Sequence, residues 1–62
     1  MKQYRINYMI DGIEKIETVF ARSEAKAVKY ILEIENISYS YVDFSIIKIE
    51  LYHNKKYYRV TL

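Results

Sequence analysis

The sequence predicts an α+β fold in which two β-hairpins flank one helix, in the order ββαββ. Apolar and polar residues alternate near both ends of the chain, which is typical of strands. The middle of the chain has apolar residues three and four positions apart, which is typical of a helix. The dipeptides Asp11-Gly12 and Asn54-Lys55 divide each alternating stretch in two. The predicted elements are strands at about 2–9, 13–20, 43–53 and 56–62 and a helix at about 24–36.

The chain has 62 residues, a length that predicts a single domain over residues 1–62. It has no Cys, so disulfides are excluded. Its core depends on apolar burial, and eight Tyr and two Phe supply much of the apolar surface. Tyr combines an apolar ring with a polar hydroxyl, so it also suits a half-exposed sheet face or an interface.

The register of the first hairpin depends on the loop around Asp11-Gly12. A two-residue turn would place Lys15 and Glu17 on the core face, opposite the apolar residues of the first strand. A three-residue loop with Gly12 left-handed in a β-bulge places Ile16 there instead. We therefore predict the bulged loop.

The predicted helix has a clear start and end. Ser23 is a favourable N-cap, and Glu24 places a carboxylate in the first turn, where the helix dipole favours it. Asn36 is suited to end the helix in a left-handed conformation. The core face of the helix consists of apolar residues, namely Ala27, Val28, Ile31 and Leu32.

The second hairpin specifies its own register if Asn54 and Lys55 form the turn. One face is then apolar, with Leu51 opposite Tyr58 and Ile49 opposite Val60. The other face sets one aromatic residue opposite another and one charge opposite its counter-charge, in the pairs Tyr52 with Tyr57 and Glu50 with Arg59. A slip of one residue would mix the two faces.

A helix that crosses the sheet between two hairpins favours the strand order 2-1-4-3, with strands one and four parallel in the centre of a mixed sheet. The sequential order 1-2-3-4 is the alternative. In length and element order the chain resembles the small β-grasp domains, such as the immunoglobulin-binding domain of streptococcal protein G. The resemblance implies an architecture and no ligand.

The residues indicate no enzyme, cofactor or metal site. The single His, His53, has no nucleophile or base at a suggestive spacing, and the carboxylates are spread over a strand and a helix. One Gly is too few for a phosphate-binding loop. The net charge of +2 is small, and neither a membrane span nor a signal peptide is apparent. We expect a cytoplasmic protein.

The sheet face turned away from the helix is the predicted binding surface. Strand three is apolar on both faces. As an edge strand it would pair with a strand of another chain, either a partner protein or a second copy in a homodimer. In the alternative, strand three is central and Phe44 or Ile46 folds under the Ser38 to Val42 loop. The predicted partner-binding residues are Arg5, Glu17, Phe44, Ile46, Lys48, Glu50, Tyr52, Tyr57 and Arg59.

These features predict a non-catalytic protein–protein interaction module. Tiny Cys-free proteins of this composition resemble accessory proteins of phages and mobile elements, among them the anti-CRISPR inhibitors. That resemblance implies stoichiometric binding to a host nuclease or another defence protein. The alternative is a small single-stranded nucleic-acid-binding protein, in which Tyr stacks on bases while Arg and Lys contact phosphates.

Overall fold

The computed structural model describes residues 1–36 and 43–60. The predicted α+β class and the ββαββ element order are confirmed. The elements are β1 (Lys2–Ile10), β2 (Ile13–Ala21), α1 (Glu24–Ile34), β3 (Phe44–His53) and β4 (Lys56–Val60).

The four strands form one sheet in the order β2-β1-β3-β4, and every neighbouring pair is antiparallel. The predicted order 2-1-4-3 and its parallel central pair are wrong, and so is the alternative 1-2-3-4. Strand three is central, which the alternative interpretation of its two apolar faces required. The Ser38 to Val42 loop of that interpretation lies outside the described residues. Asp11 helps to fix this order, because its N–H donates to the Asp43 carbonyl over 2.8 Å and its Oδ1 accepts from the Asp43 N–H over 3.3 Å.

The first hairpin has a two-residue turn, so the predicted three-residue bulged loop is wrong. Asp11 and Gly12 both have positive φ, 50° and 79°, as a type I′ turn requires. Glu17 therefore faces Ile6 and Lys15 faces Tyr8 on the helix side of the sheet. The charges are tolerated because β2 is an edge strand and Lys15 forms an ion pair with Glu35 at the end of α1, with 3.0 Å between Nζ and Oε2.

A β-bulge in β3 changes which side chains face the helix. Asn7 pairs with Lys48 and Tyr8 with Ile46, which leaves Ile47 as the extra residue. Phe44 and Ile46 consequently pack against the core, and the ring centroids of Phe44 and Tyr8 lie 5.7 Å apart. The prediction that Phe44 and Ile46 point away from the helix is therefore wrong, and Ile47, expected to face the helix, is 40% exposed.

Helix α1 starts and ends much as predicted. The Ser23 Oγ accepts from the Lys26 N–H over 3.2 Å, which satisfies one of the unpaired donors of the first turn. The last helical residue is Ile34, and Asn36 follows with a φ of 55°. The helix packs on β2 and β1, so the core lies between them; its buried members are Tyr4, Ile6, Tyr8, Val19, Ala21, Ala27, Ile31 and Ile49.

Candidate functional site

The predicted register of the C-terminal hairpin is confirmed for all four pairs named from the sequence. Asn54 and Lys55 form its turn, both with positive φ. On the face away from α1 this register sets Glu50 beside Arg59, and the antiparallel pairing of β1 with β3 sets Arg5 on the other side of Glu50. Three strands thus bring charged and aromatic residues together at one place on the outer sheet face.

Arg5 is the centre of this arrangement. Its Nε donates to the Glu50 Oε1 over 2.9 Å, and its guanidinium carbon lies 3.8 Å from the ring centroid of Tyr57. The Lys48 Nζ lies 3.9 Å from the same Glu50 oxygen. The guanidinium is therefore held both by a carboxylate and by an aromatic face.

The aromatic part is held from two further directions. Tyr52 meets Tyr57 edge-on with 5.1 Å between ring centroids. The Gln3 Nε2 donates to the Tyr57 hydroxyl over 2.9 Å. We call the set the outer-face cluster, and its members are Gln3, Arg5, Lys48, Glu50, Tyr52 and Tyr57.

The charges of the outer-face cluster largely offset each other. The hydrogen bond from Arg5 lowers the pKa of Glu50, and the positive charges of Arg5, Lys48 and Arg59 act in the same direction against partial desolvation. The same hydrogen bond raises the pKa of Arg5. The cluster consequently presents an aromatic and polar surface more than a concentrated positive one.

A second polar cluster lies on the opposite face, at the end of α1. The Tyr8 hydroxyl donates to the Glu35 Oε2, and the Lys15 Nζ donates to both Glu35 oxygens over 3.0 and 3.2 Å. These bonds lower the pKa of Glu35, while burial and the neighbouring carboxylate raise the pKa of Tyr8. The group connects α1 to β1 and β2, and we interpret it as structural.

The structure brings together six of the nine predicted partner-binding residues, namely Arg5, Lys48, Glu50, Tyr52, Tyr57 and Arg59. Phe44, Ile46 and Glu17 lie on the helix side because of the bulge and the two-residue turn. Sequence reasoning missed Gln3, which a strict alternation of the first strand places beside Arg5. It also missed Ile16 and Phe20, which are exposed by 60% and 58% on the outer side of β2.

Within the described ranges 1–36 and 43–60, no group of three or more His, Cys, Asp or Glu side chains is placed to hold a metal ion. In the same part of the chain, no helix has the length and apolar character needed to cross a membrane. His53 is exposed at the end of β3, beside the turn.

The fold and the surface define a small α+β domain with a helix on one sheet face and an aromatic, charge-paired cluster on the other. Comparisons with protein-family models, with curated proteins and with solved structures give no match.

Proposed function

We propose that this protein is a non-catalytic protein-binding module that docks on another protein through the outer-face cluster. The observation that carries the proposal is the packing of Arg5 and Tyr52 against the same ring, that of Tyr57. The Arg5 guanidinium carbon lies 3.8 Å and the Tyr52 ring centroid 5.1 Å from the Tyr57 ring centroid. Tyr and Arg are, with Trp, the residue types enriched at the energetic centres of protein interfaces. Here both types occur at one exposed place.

The ordering of the outer-face cluster favours binding. Immobilising a flexible side chain at an interface costs about 0.5–1.5 kcal/mol. Arg5 is already fixed by Glu50 and Tyr57, and Tyr57 by Gln3, so much of that ordering is present before a partner arrives. The side chains still expose surface for contact, with 39% exposure for Tyr52.

Binding of single-stranded nucleic acid is the second candidate, and the geometry favours it less. Base stacking needs a free aromatic face, and one face of Tyr57 is covered by Arg5. Phosphate binding needs unpaired cations, and Arg5 and Lys48 both lie within 4 Å of the Glu50 carboxylate, at 2.9 and 3.9 Å. Tyr52 and Arg59 are the residues that support this alternative.

We also propose, more narrowly, that the bound protein is a host defence factor such as a nuclease, inhibited by stoichiometric contact. Small size and the lack of Cys support this, through the resemblance to phage and mobile-element inhibitors. A direct test is a nuclease assay with increasing amounts of the protein, in which inhibition that saturates at an equimolar ratio supports the proposal. Unchanged cleavage of every host nuclease tried would contradict it.

The docking surface is tested by two neighbouring tyrosines on opposite faces. Tyr57→Ala removes the ring that contacts Arg5, Tyr52 and Gln3 in the outer-face cluster. Tyr58→Ala removes a ring that is 49% exposed on the helix side. Each variant is first shown to be folded by circular dichroism. Proteins captured from host lysate are then compared, and the affinity of a retained protein is measured by calorimetry.

We expect at least about a tenfold loss of affinity for Tyr57→Ala and little change for Tyr58→Ala. Equal affinity of the two variants would refute docking through the outer-face cluster. For the nucleic-acid alternative, binding of labelled single-stranded oligonucleotides is measured against salt, where Arg59→Glu with Lys48→Glu should abolish a strongly salt-dependent signal. The absence of binding at low salt would remove that alternative.

A further inference from the structure

Strand β2 is an edge of the sheet along all nine of its residues. Hydrogen-bonded and non-hydrogen-bonded pairs alternate along an antiparallel hairpin, starting from the bonded pair Ile10 and Ile13 that flanks the turn. The even-numbered residues of β2 therefore direct their N–H and C=O groups away from β1. In the described part of the chain no strand pairs with these groups, so they can bond to an added strand.

Both sides of this edge carry exposed apolar side chains. Ile16 and Phe20 lie on the outer face, and on the helix side Tyr30 and Ile34 of α1 line a shallow groove with residues 18–20. Together with Ile13 they are exposed by 42–60%. If each of these five side chains loses about 100 Å² of exposed surface in both copies, the dimer buries roughly 1,000 Å², the lower limit for a specific interface.

The charges of β2 make its centre complementary to itself. If two β2 strands pair antiparallel about a twofold axis at Ile16, Lys15 of each copy lies opposite Glu17 of the other. Moving the axis by one residue would place two Lys15 or two Glu17 side chains opposite each other, which is destabilising. Lys15 is available for this contact, because its side chain remains 41% exposed while it contacts Glu35. Among the described residues Glu17 forms no ion pair.

We propose that this protein forms a symmetric homodimer through antiparallel pairing of its β2 strands about a twofold axis at Ile16. The two sheets then form one continuous sheet of eight strands, with both helices on the same face because the axis is perpendicular to the sheet. The predicted homodimer through strand three is excluded, since β1 and β4 already occupy both sides of β3. The β2 dimer does not depend on the function proposed for the outer-face cluster.

A charge exchange on the full chain tests this register. Sedimentation velocity from about 1 µM to about 1 mM should show a monomer–dimer equilibrium for the wild-type chain. Glu17→Lys should raise the dimer dissociation constant at least about tenfold. Glu33→Lys, the same charge change at an exposed position of α1, should leave it unchanged. Mixing Glu17→Lys with Lys15→Glu should restore dimers, because the facing charges are then again opposite.

Lys15→Glu also loses the ion pair with Glu35, so a second variant keeps the test decisive if that chain fails to fold. Ile16→Arg leaves both charged residues in place and sets two Arg side chains opposite each other at the axis. It should give a monomer with an unchanged circular dichroism spectrum. A wild-type chain that is monomeric throughout, a dimer that survives both Glu17→Lys and Ile16→Arg, or capture of a different protein's strand by a monomeric β2 would each overturn the proposal.

Discussion

Tyr4 and Tyr8 provide a matched pair for testing the energetics of the core. Both side chains are fully buried on the helix face of β1, and they are four residues apart along the strand. Their hydroxyls differ, because that of Tyr8 donates to Glu35 whereas that of Tyr4 has no hydrogen-bond partner among the described residues. Replacing each by Phe removes one oxygen atom and keeps the ring contacts.

The two substitutions should have different effects on the free energy of unfolding. A hydrogen bond to a charged group contributes about 1.5–3 kcal/mol, so Tyr8→Phe should lower stability by about 2 kcal/mol. A buried hydroxyl without a partner is unfavourable by about 1–3 kcal/mol, so Tyr4→Phe should leave stability unchanged or raise it by about 1 kcal/mol. At roughly 5 °C per kcal/mol for so small a domain, the melting temperatures should differ by about 10–15 °C.

Urea and thermal unfolding followed by circular dichroism measure both changes. An unchanged urea m-value would show that a substitution alters stability without altering the compactness of the folded or unfolded state. The Glu35→Ala background supplies the control, since the effect of Tyr8→Phe should largely disappear once the acceptor is absent. If Tyr4→Phe destabilised the protein as much as Tyr8→Phe, the assignment of the two hydroxyls would be refuted.

Three further predictions concern the second turn, the bulge and the carboxylates. Lys55 has a φ of 65°, so Lys55→Gly should stabilise the protein by about 1 kcal/mol in urea unfolding, with Lys55→Ala as a neutral control that keeps the Cβ. Deletion of Ile47 leaves Lys48 and Ile46 opposite their present β1 partners, so the NMR fingerprint of the fold should persist, whereas deletion of Glu50 should abolish it. The pKa values of Glu35 and Glu50 lie below the ordinary 4.5, so their stabilisation is present above that pH and is lost as pH falls through the lowered values. Glu35→Gln with Glu50→Gln should therefore show a shallower loss of the urea midpoint below pH 4.5 than the wild-type chain.

The C-terminal hairpin was predictable because its turn and its side-chain pairs agree. Only the register around Asn54-Lys55 pairs Glu50 with Arg59 and Tyr52 with Tyr57 while keeping the other face apolar. The helix was predictable for a similar reason, since Ser23 and Asn36 are local signals that do not depend on the rest of the fold.

The first hairpin was predicted in the wrong register because the turn preference of Asp11-Gly12 was overruled by the expected cost of placing charged residues on the core face. Asp11-Gly12 favours the two-residue turn that the structure shows, and the objection was the burial of Lys15 and Glu17. The partner that accommodates Lys15 is Glu35, which lies twenty residues away at the end of α1. Nothing in the local sequence identifies that partner.

The strand order and the bulge depend on pairing between distant segments, which local patterns do not encode. The bulge is nevertheless visible in the sequence of β3, because its aliphatic residues and Phe44 occupy even positions up to Ile46 and odd positions from Ile47 onward. Reading β3 as one uninterrupted alternation placed Phe44 and Ile46 in the binding surface. For the candidate site, the residues of the C-terminal hairpin were therefore predictable, whereas those near the start of β3 were not.

The central position of β1 bears on local opening and amide hydrogen exchange. Its backbone is hydrogen-bonded along both edges, to β2 and to β3, so separation of either neighbour leaves it paired on the other side. Gln3 and Arg5 therefore lie on a strand whose amides should exchange slowly, whereas Tyr57 lies on β4, an edge strand next to a turn. A partner bound across β1, β3 and β4 would slow amide exchange most in β4, the strand with most protection to gain.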